Sequence, residues 1–238
     1  MPGKTQGPDK PMSERPDPDR LIEQLRGLPF FKGLDQHRLT DLSRGAVWRV
    51  YAPGEVVFLE AETSPGLYYL ASGWLKVVKT SLEGREQVLR FLGPGETFNE
   101  IGAFANRPNP ATAIALEPAG VWLLGRAAIL RLLREQPEVA QQLIEKMADY
   151  VIDLTNLVAD LSLRPVTGRL ARLLLDEASG EVLPRPRWRS QADLAARLGT
   201  VPDVVQRALR GLETEGAIEI HPREIRLRDR AALEKLAA

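Results

Sequence analysis

Residues 190–216, SQADLAARLGTVPDVVQRALRGLETEG, decide the fold of the C-terminal part of this chain. Ser190 followed by Asp193 has the form of a capping box, which predicts that a helix begins there. Gly199 ends that helix, and Pro202 favours the first turn of a second helix that continues to Gly216. A helix, a glycine turn and a second helix in this order predict a helix-turn-helix.

The second helix separates its side chains into an apolar and a polar face. Arginine, glutamine and carboxylate side chains can read base edges in the DNA major groove, although an ordinary solvated helix face is the alternative interpretation. Local charge favours DNA, because residues 183–210 hold six arginines against two aspartates. The apolar face comprises Val205, Ala208, Leu209 and Leu212, and the polar face, which we expect to contact DNA, comprises Asp203, Gln206, Arg207 and Arg210.

Two short segments of alternating polarity follow the helix pair. They span residues 217–220 and 224–227 and flank a turn at His221-Pro-Arg223, which predicts a β-hairpin wing. Leu233 and Leu236 indicate a short final helix. The C-terminal region is therefore expected to be a winged helix-turn-helix.

The N-terminal half has a different composition and residue pattern. Residues 1–18 contain five prolines among polar residues, which predicts a disordered arm. A short helical pattern begins at Asp19, and between Val47 and Leu124 short β-branched and aromatic runs are punctuated by glycine, as in Pro53-Gly54 and Pro94-Gly95. Punctuation at this spacing predicts a β-roll or barrel.

A long amphipathic helix follows the predicted β-roll. It should break just before Pro165, because proline lacks a backbone N–H and clashes with the preceding turn. A second apolar stripe, Ile144, Val151 and Val158, runs beside the main seam, so one stripe could face the chain's own β-roll and the other a partner helix. A helix packed inside a monomer is the alternative. The main seam, predicted as the dimer interface, is Leu143, Met147, Tyr150, Leu154, Leu157 and Leu161.

Composition excludes several classes of function. The 238 residues have a formal net charge of zero, no cysteine and two histidines, so disulfides, cysteine-ligated iron–sulfur clusters, catalytic thiols and multi-histidine metal sites are excluded. No catalytic residues are predicted, because neither a phosphate-binding glycine loop nor an arranged catalytic set is recognisable. The sequence also lacks an apolar signal region or a stretch of roughly 18 apolar residues, so we expect a cytoplasmic protein without membrane contact.

With these parts in this order, the chain resembles the cyclic-AMP receptor and fumarate–nitrate regulator (Crp/Fnr) family of bacterial transcription factors. The resemblance covers roughly residues 20–236 and includes Pro53-Gly-Glu55, Leu67-Tyr-Tyr-Leu-Ala-Ser-Gly73, Gly95-Glu-Thr-Phe-Asn-Glu-Ile-Gly102 and Val166-Thr-Gly-Arg-Leu170. It implies an α+β protein that binds double-stranded DNA as a homodimer on a pseudo-palindromic site and meets RNA polymerase. In this resemblance Arg207 aligns with a guanine-reading arginine, Arg169 and Arg210 are expected at phosphates, and Ser190 and Gln191 are further expected DNA contacts.

The resemblance also implies an effector pocket, where this sequence departs from cyclic-AMP-binding members. Asn99-Glu100 stands at a Gly-Glu pair, and Pro110-Ala111 stands at the Arg-Ser pair that holds the cyclic phosphate. Without that arginine a buried phosphate loses its bidentate partner, so cyclic AMP is not expected. Leu154-Thr155 preserves half of an adenine-contacting hydroxyl pair. The expected pocket residues are Asn99, Glu100, Ile101, Arg107, Pro110, Ala111, Thr112, Leu154 and Thr155.

Other possibilities for the effector and the function stay open at this point. Residues 106–113 resemble the cassette of nitric-oxide-responsive and haem-dependent branches, and His37 or a processed Pro2 would be the axial haem ligands. An effector-independent activator controlled by its own abundance is the other possibility. A ligand-binding or interaction module whose helix pair serves only packing is the alternative outside DNA binding.

These inferences divide the chain into four segments. The division is 1–18 for the arm, 19–134 for a cyclic-nucleotide-binding-like sensor, 135–164 for the dimerisation helix and hinge, and 165–238 for the DNA-binding domain.

Overall fold

The computed structural model describes residues 15–105, 107–186 and 190–237. The chain divides into two compact units. The first consists of the residues up to Val77 together with Phe91–Met147, and the second of Val78–Arg90 together with the residues from Ala148 onward. Most of the predicted arm, Pro2 included, lies outside the described residues.

The first unit begins with two helices that lead into a β-roll. Helix α1 (Pro18–Arg26) is capped by Asp17, a 3₁₀ turn follows at Pro29–Phe31, and α2 (Gln36–Arg44) begins behind Asp35. Helix α1 thus begins inside the segment predicted to be disordered, because Asp17 and Pro18 supply a cap and a first-turn proline. The disorder prediction is wrong for that end of the arm.

The β-roll is built from eight strands in two four-stranded sheets, with orders β1-β8-β3-β6 and β2-β7-β4-β5. Their inward side chains form an apolar core that includes Leu70, Leu75 and Val121. This confirms the predicted roll. The strands are β1 (Val47–Tyr51), β2 (Val56–Phe58), β3 (Gly66–Ser72), β4 (Leu75–Thr80), β5 (Glu86–Leu92), β6 (Thr97–Phe98), β7 (Thr112–Ala115) and β8 (Ala119–Gly125).

One helix lies within the roll, and two further helices follow its last strand. Helix α3 (Glu100–Ala105) lies between β6 and β7, and α4 (Arg126–Glu135) follows β8. The long helix α5 (Pro137–Leu163) ends just before Pro165, as its sequence predicts. Among the described residues, no helix combines the length and apolarity that crossing a bilayer demands.

The second unit contains the helix-turn-helix. Around an apolar core that includes Leu170, Leu194 and Val205, α6 (Val166–Glu177), α7 (Gln191–Leu198), α8 (Pro202–Thr214) and α9 (Arg230–Ala237) pack with a three-stranded sheet of order β10-β11-β9. Strands β10 (Ile218–Ile220) and β11 (Glu224–Leu227) are the predicted wing. Strand β9 (Val182–Pro184) pairs with β11 and was not foreseen, since it is only three residues long and includes a proline.

Candidate nucleic-acid interface and sensor site

The helix-turn-helix is set by the local signals at both ends of α7. The Asp193 N–H donates to Ser190 Oγ at 3.2 Å, and the Ser190 N–H donates to Asp193 Oδ2 at 3.2 Å, so the predicted capping box is formed. At the other end Gly199 adopts φ 63°, the left-handed conformation that glycine takes without strain. Ser190, expected to contact DNA, is thereby occupied in the cap, while Gln191 follows it half-buried.

The two faces of α8 differ in exposure as the sequence predicts. Val205, Leu209 and Leu212 are at most 3% exposed and anchor the helix in the core of the second unit. On the opposite side, the side chains expected to meet DNA are accessible: Asp203, Arg207 and Arg210 are exposed and Gln206 is half-buried. The helix therefore presents a rigidly held row of hydrogen-bonding groups with the chemistry that reads base edges.

The wing is tied to the recognition helix by ionic and backbone contacts. The Ile220 N–H donates to Glu213 Oε1 at 3.1 Å, which joins β10 to the end of α8. On the wing itself, Arg228 Nε donates to Glu219 Oε2 at 2.9 Å, and this hydrogen bond holds the pKa of Glu219 below its usual value. His221 Nε2 lies 3.0 Å from Glu219 Oε1. The wing is thus braced in place beside α8.

Arg169, which is expected at a phosphate, makes a hydrogen bond within the second unit. Its guanidinium NH1 donates to the Leu161 carbonyl oxygen at 3.0 Å, so it joins α6 to the last turn of α5 across Pro165. This contact could not be predicted, because the two residues belong to different helices. One of the five guanidinium N–H donors of Arg169 is thus used within the protein.

In the first unit, the carboxylate expected to bind an effector is already paired. Glu100 is only 3% exposed. Its Oε1 lies 2.5 Å from Lys146 Nζ and accepts a hydrogen bond from Thr97 Oγ1 at 2.7 Å. The ammonium also donates to Thr97 Oγ1 at 2.5 Å and lies 5.3 Å from the centre of the Phe30 ring. Lys146 was not predicted, because it is a polar residue within the apolar pattern of α5.

A second closed hydrogen-bond network surrounds Asn99. Its backbone has φ 67°, and its amide Nδ2 donates to Ser64 Oγ at 2.9 Å and to Asn109 Oδ1 at 3.0 Å. Asn109, 2% exposed, donates in turn to the Leu59 carbonyl oxygen. A Cβ on Gly102 would stand 2.6 Å from Asn99 Oδ1, so glycine is required there. The first residue of the predicted effector pair thus serves the protein's own loop structure.

The remaining expected effector residues are divided between the two units. Ala111 is buried, and Thr112 Oγ1 accepts the Glu60 N–H at 3.0 Å. The side chains of the others are exposed: Ile101, Arg107 and Pro110 in the first unit, and Leu154 and Thr155 in the second. The prediction that these nine residues share a pocket therefore receives no support from the geometry.

The interior of the roll is filled by aromatic rings. Tyr68 stacks on Phe98 with ring centres 5.1 Å apart, and Phe58 lies 5.4 Å from Tyr68. Burial raises the pKa of the Tyr68 hydroxyl to about 12. This part of the roll is a packed core.

The expected haem ligand is a surface residue. His37 lies on α2 with its side chain 81% exposed, and its Nε2 is 3.4 Å from Asp41 Oδ2 one turn later. Within the described ranges, no three metal-ligating side chains come together. The haem alternative therefore gains no support from His37.

The apolar face that α5 leaves uncovered differs from the predicted seam. Leu143, in the first unit, is only 7% exposed. The parallel stripe is open to solvent instead: Ile144 is 69%, Val151 62% and Val158 63% exposed. Leu154, from the seam, is 45% exposed. Leu143 is thus buried within the single chain, Met147, Tyr150, Leu157 and Leu161 are partly exposed, and the seam as a dimer interface stays a prediction.

Comparisons with known proteins agree with this architecture. Residues 48–136 match the cyclic nucleotide-binding domain model, and residues 168–236 match the Crp-like helix-turn-helix domain model. The chain is 30% identical over 213 residues to a cyclic AMP receptor protein of Thermus thermophilus, covering 90% of this chain and 98% of that protein. It is 26% identical over 223 residues to a CRP-like cAMP-activated global transcriptional regulator of Mycobacterium tuberculosis, covering 91% and 100%. The structure of FixK2 from Bradyrhizobium japonicum matches with a TM-score of 0.73 and 25% identity, over 81% of this chain and 98% of that one.

Proposed function

The chain belongs to the Crp/Fnr family of transcriptional regulators, and from this membership we propose that it binds a pseudo-palindromic promoter site as a homodimer without cyclic AMP. That it is a DNA-binding regulator with a Crp-like helix-turn-helix follows from the family itself. The proposal that the protein reads a specific promoter site depends on one observation, the exposed row of Asp203, Arg207 and Arg210 on α8.

The proposed DNA contacts divide into those that read sequence and those that position the protein. Arg207 reads a guanine through O6 and N7, and Asp203 and Gln206 offer an acceptor and an amide to neighbouring bases. Arg210 binds a phosphate, with Gln191 and Ser190 beside the backbone. Arg169 is left out of this set, because its guanidinium is engaged with the Leu161 carbonyl.

The proposed dimer uses the exposed stripe of α5. Ile144, Val151 and Val158 recur at intervals of seven, which is the spacing of one coiled-coil position. A second copy of the same helix fits this stripe, since a pair related by two-fold symmetry buries identical apolar side chains against each other. Two recognition helices one helical turn of DNA apart then require an inverted-repeat site.

Cyclic AMP is not proposed as the effector, although curated relatives carry it in their names. The Glu100 carboxylate is paired with Lys146, and Pro110-Ala111 supplies no cation for a cyclic phosphate. We favour control by abundance, or by a ligand of other chemistry. Calorimetric titration with cyclic AMP tests this: millimolar or weaker binding is expected, and micromolar binding would overturn it.

Further partners follow from a role at promoters. RNA polymerase is the proposed protein partner, and the cytoplasm is the proposed compartment. The proposed domain boundaries lie after residues 18, 134 and 164, and they separate the arm, the sensor, the dimerisation helix and the DNA-binding domain.

The DNA-binding proposal is tested by selection from random duplex DNA. The purified protein should enrich an inverted repeat, and each half-site should be protected in footprinting. A single, non-repeated motif bound by one copy of the chain would overturn the dimeric proposal.

A further inference from the structure

The β4–β5 hairpin is packed within the same compact unit as the helix-turn-helix. Gln87 Nε2 donates to the Arg197 carbonyl oxygen at 3.2 Å, and the Arg197 guanidinium NH1 donates to the Leu89 carbonyl oxygen at 2.9 Å. The two hydrogen bonds run in opposite directions between strand β5 and the last turn of α7. Together they dock the first helix of the pair on the strand.

The turn between the two helices is held on two further sides. A Cβ on Gly199 would stand 2.5 Å from Leu161 Cδ2 and 2.9 Å from Gln87 Oε1. A side chain at position 199 would therefore have to displace the ends of the Leu161 and Gln87 side chains. Gly199 and Thr200 also line a shared crevice with the hairpin residues 79–81, 83 and 85–87.

Strand β5 is anchored to the long helix as well. The Arg90 guanidinium carbon lies 4.6 Å from the centre of the Tyr150 ring, a cation–π contact. The strand thus contacts α5 through Arg90 and α7 through Leu89 and Gln87. The residues on either side of the hairpin, up to Val77 and from Phe91, belong to the sensor-containing unit.

The docked hairpin leaves the DNA-reading face open. Arg197 is half-buried and its guanidinium is engaged by Leu89, whereas Arg207 and Arg210 on α8 remain exposed. Part of the Arg197 guanidinium is therefore engaged by the protein itself. The two hydrogen bonds form a brace between strand β5 and the last turn of α7, the helix that precedes α8.

We propose that Arg197 is a positioning residue, and that the hairpin of residues 78–90 orients the recognition helix through it in the DNA-binding arrangement. Because α7 is held in place before binding, α8 loses less conformational entropy when it binds its DNA site. The inference rests on the DNA-binding function proposed above.

The first test separates a positioning role from a phosphate contact. The probe is the duplex selected by the unmodified protein, with a random duplex beside it. Arg197→Ala should lower the ratio of selected to random affinity by roughly three- to tenfold, the equivalent of one lost hydrogen bond. The slope of log affinity against log salt should stay unchanged. A phosphate contact would instead weaken both duplexes equally and reduce the slope by about one.

A neutral variant and two controls accompany this test. Gln87→Ala removes the other hydrogen bond without changing charge and should lower the same ratio by about threefold. Leu82→Ala, at a fully exposed position of the hairpin, should change nothing. Arg207→Ala tests the DNA-binding proposal separately. If this variant binds the selected duplex as tightly as the unmodified protein does, α8 is not the helix that reads DNA. The effect of Gln87→Ala then decides whether the hairpin contact matters for binding.

The second test fixes the brace covalently. The chain has no cysteine, so Gln87→Cys with Thr200→Cys introduces one unique pair across the shared crevice, which a short bismaleimide can join. The joined protein should bind the selected duplex at least as tightly as the same protein left unjoined, within about threefold. A loss of about tenfold or more on joining would mean that the hairpin must leave before DNA binds, and would overturn the proposal.

Discussion

Lys146 and Glu100 form a buried ion pair, with 2.5 Å between Nζ and Oε1, at the position where the family resemblance implies an effector-binding carboxylate. The side chains are 23% and 4% exposed, so solvent screens their attraction little. The pair joins α3 to the long helix within one unit. The protein's own lysine therefore supplies the positive partner of this carboxylate.

Removing one member of this pair should destabilise the first unit strongly. Lys146→Met leaves the Glu100 carboxylate buried without its cation, and we expect a loss of about 3 to 5 kcal/mol in the free energy of unfolding. Urea unfolding measures it. The double variant Lys146→Met with Glu100→Gln should recover most of the loss, because neither charge then remains.

The control is Lys32→Met, which changes the same residue type at an exposed position of the same unit. A loss below about 1 kcal/mol for Lys146→Met would show that the ion pair contributes no more than a surface pair.

Arg207→Ala should relax sequence specificity at one base pair. The arginine is exposed on α8, and loss of a bidentate guanine contact should raise the binding free energy by about 1 to 3 kcal/mol at that base pair only. Binding to all single-base variants of the selected site measures it.

Arg210→Ala is the matched comparison, one turn further along the exposed face. It should weaken every sequence alike and reduce the salt slope by about one. Equal losses for Arg207→Ala on selected and random DNA would refute its assignment as the reader of a base.

Val151→Glu should convert the dimer to a monomer. The side chain is 62% exposed in the single chain, and a carboxylate in a symmetric apolar interface is buried next to its own copy, which should weaken association by a hundredfold or more, about 3 kcal/mol. Sedimentation equilibrium measures the change.

Asn156→Glu adds the same charge to an exposed position of α5 outside the stripe and should leave the dimer intact. Dissociation by Asn156→Glu and not by Val151→Glu would move the interface to another face of the helix.

The stability of the first unit should fall in alkaline solution because of Tyr68. Its pKa is raised to about 12 in the folded protein from an ordinary value of 10.0, so the unfolded chain loses this proton first. Stability from the buried hydroxyl is complete below pH 10 and is lost as the pH rises toward 12. Between pH 9 and pH 11 we expect a loss of about 1.4 kcal/mol from this group.

Tyr68→Phe isolates that contribution, since it keeps the stacked ring and removes the ionising group. Guanidinium unfolding of both proteins at the two pH values makes the comparison. The same pH dependence in the variant would exclude Tyr68 as a source.

The sequence predicted the parts of the fold whose signals are local. The helix pair depends on Ser190, Asp193 and Gly199, which act within one helical turn, and the wing depends on alternation over four residues. The stripes of α5 were harder to assign, because Leu143 and Ile144 are both apolar and only packing decides which one faces the core. The contacts of Lys146, Arg169 and Arg197 could not be predicted, because each joins elements that are far apart in sequence or on different helices.

The hydrogen bond from Arg169 to the Leu161 carbonyl oxygen opposes bending of the chain at Pro165. A helix that ends at Leu163 leaves carbonyl groups without helical partners, and here one of them is satisfied from the far side of the break. Any bend at the joint must first rupture a charge-assisted bond worth about 1.5 to 3 kcal/mol. The hydrogen bond therefore favours one angle between α5 and α6, and a change of that angle that breaks the bond costs its free energy.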